Sequence, residues 1–199
     1  LSIVNMTNPD FAQNGNWMEV KAGDAQGFMT ALEIANGNNA AANAARTFIF
    51  LPNGTYDLGD KCLTPISGNN ISIIGESMDN TIIVNKPEVE GIGVTATLFN
   101  TSTGLYMQDL TLKNAYPFDK STGRAVCLQD KGTQTICKNV KMLSYQDTYY
   151  SNNNKGQYYF ENSDIHGIVD FICGGGDVFF NKCTLTLEPG KGSYITAPY

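Results

Sequence analysis

The fold is decided by a segment that recurs four times: Asp109-Leu110-Thr111-Leu112, Asn139-Val140-Lys141-Met142, Asn162-Ser163-Asp164-Ile165 and Lys182-Cys183-Thr184-Leu185. Each copy begins with a polar residue and continues with alternating positions, as a strand with one buried face does. The second residues of the four copies lie 30, 23 and 20 positions apart. Periods of this size indicate a stacked repeat, in which each coil buries its apolar residues against the next.

The repeat predicts which side chains stack inside the molecule. Alternation places Leu110, Val140, Ser163 and Cys183 in one internal ladder, and Leu112, Met142, Ile165 and Leu185 in a second. Each copy also has an apolar residue three positions before its first inward residue; these residues are Met107, Cys137, Phe160 and Phe180. The segment Asn70-Ile71-Ser72-Ile73 begins in the same way, and we group it with the other four. Short β-rich runs broken by Asn and Gly turns favour a parallel β-helix over helical repeats.

The first part of the chain has a different pattern. Residues 22–35 are predicted to hold a short helix with apolar residues on one side, and the Asn- and Gly-rich run after it is typical of a loop. A β-rich run, Thr47-Phe48-Ile49-Phe50-Leu51, then ends at Pro52-Asn53-Gly54. A length of 199 residues is enough for one domain with a sizeable core, and we predict that residues 1–199 form a single β-helix domain.

Composition excludes several classes of protein. The net charge is −6 without a run of Lys or Arg, which argues against a nucleic-acid partner. No stretch approaches the 18 or so apolar residues of a membrane span. The five cysteines contain no CxxC pair, so we predict no metal site.

Two carboxylates share one position in the repeat. Asp147 and Asp170 are 23 residues apart, which is the distance between Val140 and Ser163, so they should lie at equivalent places on neighbouring coils. Two carboxylates that close cannot both ionise cheaply, and a nucleophile beside a general acid needs such an unequal pair. A ladder of turn-forming Asp and Asn residues would produce the same spacing without chemistry.

The residues around these aspartates resemble the motifs of the pectin methylesterase (pectinesterase) family of carbohydrate esterases. Residues 145–150 are similar to Q-D-T-L-Y, with Tyr149 in the Leu position, and residues 167–174 to G-x-V-D-F-I-F-G, with Cys173 in the last Phe position. Residues 124–128 resemble Q-A-V-A-L with Arg124 in the Gln position. Residues 54–58 are similar to G-x-Y-x-E. The resemblance implies an all-β fold, a right-handed parallel β-helix of the pectin lyase-like solenoid type with a short N-terminal helix.

The resemblance also implies an activity, the hydrolysis of galacturonate methyl esters in pectin (homogalacturonan). Asp170 would be the nucleophile, Asp147 the general acid and base, and Gln146 the donor to the oxyanion. Contacts with the polysaccharide would come from Arg124, Thr97, Val169, Phe171 and Tyr150. No cofactor or metal is implied, and no membrane or nucleic-acid partner. Because the family's substrate is extracellular, we expect a secreted protein, extracellular or periplasmic.

The chain departs from the family at several positions, and these leave alternatives open. The later L-G-R-P-W motif, whose Arg holds the nucleophile, is absent, and we expect the chain to lack its C-terminal coils. Arg124 could donate to the oxyanion or pair with Asp147 or Asp170, or it could be a solvated surface residue. The alternatives to an esterase are a catalytically impaired carbohydrate-binding relative and another acyl hydrolase, such as a thioesterase. For His166, the one histidine, we expect a structural role.

Overall fold

The computed structural model describes residues 11–14, 16–118 and 123–199. Within these ranges the chain winds into coils with three faces, and α1 (Ala25–Asn38) lies against the first strands. Two strands precede the coils, β1 (Phe11–Asn14) and β2 (Trp17–Val20), and they pair antiparallel. β2 then pairs in parallel with the first coil.

The strands of each face follow one another along the stack and pair in parallel. The first face contains β3 (Thr47–Leu51), β6 (Ile71–Gly75), the start of β9 (Tyr106–Asn114), the start of β11 (Thr135–Leu143), β13 (Gln157–Glu161) and β16 (Asp177–Asn181). The second contains β4 (Gly54–Asp57), β7 (Thr81–Asn85), the ends of β9 and β11, β14 (Asp164–Gly167) and β17 (Thr184–Leu187). The third contains β5 (Thr64–Ile66), β8 (Leu98–Asn100), β10 (Leu128–Asp130), β12 (Tyr149–Ser151), β15 (Ile172–Gly174) and β18 (Thr196–Pro198).

The predicted internal ladders are confirmed by the strand register. Met142 pairs with Leu112 on one side and Ile165 on the other, and Ile165 pairs with Leu185. In the other ladder Leu110 pairs with Val140, whose N–H donates to Ser163 Oγ at 3.1 Å. The earlier apolar positions stack as well, in the order Met107, Cys137, Phe160, Phe180. These rows fill the interior of the coils, so burial between coils holds the stack together.

The polar residue that opens each repeat bends the chain between the first and second faces. Asp109, Asn139, Asn162 and Lys182 all adopt left-handed backbone conformations, with φ of 56°, 54°, 50° and 53°. Asn and Asp tolerate this conformation better than most residues, because their side chains can hydrogen-bond locally. The bends also bond to each other, since Asn139 Nδ2 donates to Asp109 Oδ1 at 2.5 Å.

The grouping of Asn70–Ile73 with these segments is wrong. Asn70 has a left-handed φ of 58°, but it lies at the corner before the first face, because the strand that follows it is β6. Ile73 accordingly pairs with Met107, and the residue opposite Leu112 is Ile83. The coil has three bends, and a polar residue before an apolar one does not by itself show which bend it occupies.

The helix lies three residues later than predicted, and it extends into the segment interpreted as a loop, ending at Asn38. Asp24 caps its start by accepting a hydrogen bond from the Gly27 N–H at 2.9 Å. Its last turn is stabilised by tertiary contacts of Asn36, which donates to the Pro65 carbonyl and accepts from the Ser67 and Gly68 N–H groups. The buried side of α1 packs on the core, where Phe28 meets Tyr56 edge to face at 6.3 Å. The predicted strand Thr47–Leu51 is confirmed as β3.

The cysteines are all free thiols, and the predicted inward position of Cys137 is confirmed by its complete burial. Cys183 is half-buried and packs against the core. None of the helical structure in the described ranges is long and apolar enough to cross a bilayer.

Candidate active site

Asp147 and Asp170 lie at the corner between the second and third faces, directly before β12 and β15. They occupy equivalent positions on neighbouring coils, as the sequence predicts, because Gln146 and Val169 form a parallel bridge. The Asp147 N–H donates to the Val169 carbonyl at 3.2 Å. Both aspartates have left-handed backbones, with φ of 57° and 48°. Asp is suited to this conformation, so one residue type provides both the bend and a carboxyl group.

The two carboxyl groups differ in their surroundings. Asp147 is only 4% exposed, whereas Asp170 is half-buried. Burial, followed by the charge of Asp170, raises the pKa of Asp147 to about 7. Asp147 can therefore carry a proton near neutral pH beside a more exposed carboxyl group. This is the state that a general acid needs next to a nucleophile.

Cys173 touches this pair, a contact that sequence reasoning did not identify. Its thiol donates to the Tyr149 carbonyl at 3.5 Å, and it interacts with the Asp147 carboxyl group, whose pKa it lowers. Burial raises the pKa of the Cys173 thiol well above its ordinary value, so the sulfur stays protonated. The thiol thus acts as a weak hydrogen-bond donor beside Asp147. The register of the repeat could have indicated this contact, because Cys173 lies three positions after Asp170 and pairs with Tyr150.

Gln146 and Arg124 form a row beside the aspartates, as the 22-residue spacing indicates, and an isolated parallel bridge joins the two residues. The Gln146 side chain is half-buried, and its carboxamide has no hydrogen-bond partner among the residues that the structure describes. It is therefore available to a ligand. The Arg124 guanidinium binds Glu90 in a bidentate ion pair, with Nε–Oε2 and Nη2–Oε1 distances of 2.6 Å. Of the alternatives left open for Arg124, the structure shows no hydrogen bond to the aspartates. Arg124 is instead an exposed surface residue that pairs with Glu90.

The other predicted substrate contacts divide into two groups. Tyr150 and Val169 are half-buried at the corner, and the Tyr150 hydroxyl lies 3.1 Å from that of Tyr199. Thr97 and Phe171 are fully buried. The Thr97 hydroxyl donates to Asn85 Oδ1 at 2.7 Å, and Phe171 belongs to the hydrophobic core. Their side chains are inaccessible to a ligand in this structure, which corrects the prediction of direct contact. Because side chains alternate between the two faces of a strand, some residues of a functional motif face inward and cannot contact a ligand.

No arginine in the described ranges reaches Asp170. Arg46 donates to Ser72 Oγ and to the Gly104 carbonyl on the first face, at 3.1 and 3.0 Å. Arg124 is held by Glu90. Asp170 thus has no guanidinium partner in the part of the chain that is described.

His166 lies between two carboxylates away from the aspartate pair. Its Nδ1 is 2.5 Å from Glu188 Oε1, and its Nε2 is 2.8 Å from Asp164 Oδ2. Through these contacts it joins β14 to the segment after β17. A search of the described residues finds no group of three or more His, Cys, Asp and Glu side chains that could hold a metal ion.

A solenoid that carries a buried carboxyl group of raised pKa beside a more exposed carboxyl group has the groups that acyl or glycosyl hydrolysis requires. The particular family is identified by comparison. The chain belongs to the pectinesterase family, because the family model described as Pectinesterase matches residues 19–197. Among curated proteins, the probable pectinesterase/pectinesterase inhibitor 16 of Arabidopsis thaliana is 30% identical over 164 residues, which cover 79% of this chain and 30% of that protein.

Solved structures agree with this assignment. A pectin methylesterase crystallised in complex with a hexasaccharide superposes with a TM-score of 0.70 at 26% identity, covering 84% of this chain and 56% of that one. The pectin methylesterase of Yersinia enterocolitica gives a TM-score of 0.68 at 27% identity, covering 84% of this chain and 59% of that one. The fold is accordingly the right-handed parallel β-helix of these enzymes. The chain spans less than a third of the length of the Arabidopsis protein and under three fifths of each solved enzyme.

Proposed function

We propose that this chain hydrolyses the methyl esters of galacturonate in pectin. The observation that carries the proposal is the aligned pair of Asp147 and Asp170, with the pKa of Asp147 raised to about 7 by burial and by Asp170. Membership of the pectinesterase family names the substrate class. The chain's net charge of −6 also suits a methylated, and therefore less anionic, polysaccharide.

The first half of the reaction forms a covalent intermediate. A carboxylate oxygen of Asp170 attacks the ester carbonyl carbon, and the carbonyl π electrons move to the oxygen as a tetrahedral oxyanion. The free amide of Gln146 donates a hydrogen bond to that oxyanion. Collapse breaks the bond to the methoxy oxygen, which takes the proton from Asp147 and leaves as methanol. The product is an acyl-enzyme anhydride on Asp170, beside an ionised Asp147.

The second half restores both carboxyl groups. Asp147, now ionised, removes a proton from a water molecule as its oxygen attacks the acyl carbon. The second tetrahedral intermediate collapses by breaking the bond to Asp170, which leaves as a carboxylate. The polysaccharide leaves with a free carboxyl group on the galacturonate unit, and Asp147 is again protonated. No cofactor is required for either step.

The polysaccharide binds along the corner that carries the aspartates. Tyr150, Val169 and Arg124 are the accessible side chains of the predicted set, and Cys173 replaces part of an apolar wall. The related pectin methylesterase in complex with a hexasaccharide supports an oligosaccharide-sized site. Because pectin is an extracellular polymer, we place the working enzyme outside the cell or in the periplasm.

The test is methanol release from highly methylated pectin by the wild-type chain and by Asp170→Asn. We expect the variant to lose at least about 100-fold in rate, because the amide cannot form the acyl-enzyme. Asp177→Asn is the matched control, since Asp177 is an exposed carboxylate on β16, and it should retain full activity. Equal rates for the wild type and Asp170→Asn would refute the assignment of the nucleophile.

One observation favours a second candidate, a carbohydrate-binding relative with impaired catalysis. The Asp170 carboxylate has no arginine partner in the described ranges, because Arg46 and Arg124 bind elsewhere. Calorimetric titration with methylated oligogalacturonides separates the two functions. Binding without methanol release supports the relative, whereas binding accompanied by release supports the esterase.

A further inference from the structure

The loop 86–97 holds Glu90 beside Arg124 through several backbone contacts. The Gly91 N–H donates to the Arg124 carbonyl at 2.8 Å. The buried Thr95 hydroxyl donates to the Gly91 carbonyl at 2.6 Å and accepts from the Val126 N–H at 3.2 Å. Glu90, the residue before Gly91, therefore lies on a segment that is hydrogen-bonded to the backbone of Arg124 and Val126.

The ion pair directs the guanidinium of Arg124. Nε and Nη2 both bind Glu90, with side-chain exposures of 47% for Arg124 and 23% for Glu90. A bidentate pair of this kind fixes the plane of the guanidinium as well as its position. The backbone of Arg124 bridges that of Gln146, the residue directly before Asp147. Arg124 thus belongs to the coil next to that of Asp147, and its guanidinium pairs with Glu90 rather than with an aspartate.

We propose that Glu90 is a positioning residue, which holds the Arg124 guanidinium away from Asp147 and Asp170 so that Asp147 keeps its proton for the leaving methanol. This inference rests on the proposed esterase function. Nothing in the family motifs includes Glu90, which is 34 residues from Arg124 in the chain.

The charges around Asp147 support this role. The titratable groups that act on it are Asp170, Arg124, Cys173 and Glu90, and Asp147 in turn acts on Tyr150. Asp170 and Glu90 raise the pKa of Asp147, whereas Arg124 and the Cys173 hydrogen bond lower it. Without the carboxylate of Glu90, the guanidinium would pair with the nearest remaining anion. Pairing with either aspartate would stabilise the ionised form of Asp147, directly or by neutralising Asp170.

The test is the pH dependence of methanol release in a double-mutant cycle of Glu90→Gln and Arg124→Gln. In Glu90→Gln, the ratio of activity at pH 7.5 to activity at pH 5.5 should fall about five- to tenfold, since the acid loses its proton at lower pH. In the Arg124→Gln background the same change should alter the ratio by no more than about twofold, because no guanidinium remains to move. An equal ratio in Glu90→Gln and wild type would overturn the proposal.

A second measurement separates this proposal from the esterase function itself. The titration of Asp147 can be followed by ¹³C NMR of labelled carboxyl groups, with Asp147→Asn identifying its signal, and it requires no activity. A titration midpoint that falls in Glu90→Gln, and that falls much less when the same change is made in the Arg124→Gln background, supports the proposal even if no methanol is released. An unchanged midpoint overturns it, whether or not the chain is an esterase.

Asp79→Asn is the matched control for the loss of an exposed ion pair. Asp79 pairs with Lys141 at 2.5 Å on the second face, and its side chain is 64% exposed. This variant should leave both the pH ratio and the Asp147 midpoint unchanged. If it shifts them as much as Glu90→Gln does, the effect is one of net charge and the positioning role is refuted.

Discussion

At the scale of single residues, Asp130 is a second carboxyl group with an unusual environment. It follows Gln129 on β10, points into the coils and is fully buried. Its Oδ1 accepts hydrogen bonds from Asn100 Nδ2 at 2.8 Å and from the Gly132 N–H at 3.1 Å, while Oδ2 has no partner. Burial raises the pKa of Asp130 to about 6. The fold therefore favours the protonated side chain.

This environment predicts a pH-dependent stability that Asp130→Asn removes. An unfolded Asp ionises near pH 4, whereas the folded one holds its proton until about pH 6, so the free energy of unfolding falls as pH rises through this window. The loss can reach about 3 kcal/mol. Asn does not ionise, and we expect the stability of Asp130→Asn relative to wild type to increase by about 2 kcal/mol between pH 4 and pH 8.

Urea unfolding of both proteins at the two pH values measures this change. Asp177→Asn, at an exposed position, serves as the control and should show no such increase. A difference between Asp130→Asn and wild type that stays constant with pH would mean that Asp130 is ionised in the folded protein.

At the scale of elements, the left-handed bends determine where one strand ends and the next begins. Three of the four bends between the first and second faces contain Asn or Asp, and the fourth contains Lys182 with φ 53°. The left-handed conformation destabilises a residue with an ordinary side chain by roughly 1–2 kcal/mol, and it destabilises Asn less. Of the four residues at these bends, Lys182 is thus the least suited to a left-handed backbone.

Lys182→Asn should stabilise the protein by about 0.5–1 kcal/mol, because Asn tolerates the left-handed backbone. Thermal unfolding of the variant, with circular dichroism as the probe, measures the gain. Lys138→Asn is the control, since Lys138 is exposed on β11 and lies outside the left-handed positions. Asn is unfavourable in strands, so this variant should show no gain. Equal effects of the two substitutions would contradict the explanation.

At the scale of the whole molecule, stability comes from contacts between successive coils. Met142 is fully buried between Leu112 and Ile165 of the neighbouring coils. Leu185 pairs with Ile165 on one side, is half-buried and belongs to the last described coil. In a stack of this kind the energy of a core residue depends on how many neighbouring coils cover it.

We therefore expect Met142→Ala to cost about 3–5 kcal/mol and Leu185→Ala about half as much. The two substitutions remove side chains of similar size from the same ladder, so each is a control for the other. Guanidinium unfolding of both variants measures the losses from the midpoints and slopes. Equal losses would show that the last coil is covered as completely as the middle one.

The aligned aspartates show how far the sequence alone determines this protein. The 23-residue spacing of Asp147 and Asp170 equals the local coil length, and parallel pairing converts equal spacing into adjacency. The inward ladders follow from the same rule together with the alternation of side chains along a strand. The resemblance of residues 145–150 and 167–174 to family motifs indicates the family, and the match of the family model confirms it.

Other features depended on the tertiary structure, because they join segments that no repeat relates. Packing around loops of unequal length decides three such features. They are the corner that Asn70 occupies, the extra turn of α1 at Asn36 and the contact of Cys173 with Asp147. The pairing of Glu90 with Arg124 is the clearest case, since a loop outside the repeat carries the carboxylate. Burial likewise decided that Thr97, a predicted contact with the polysaccharide, is inaccessible. Local pattern specifies which positions stack, and only the closed three-dimensional packing decides which side chains meet.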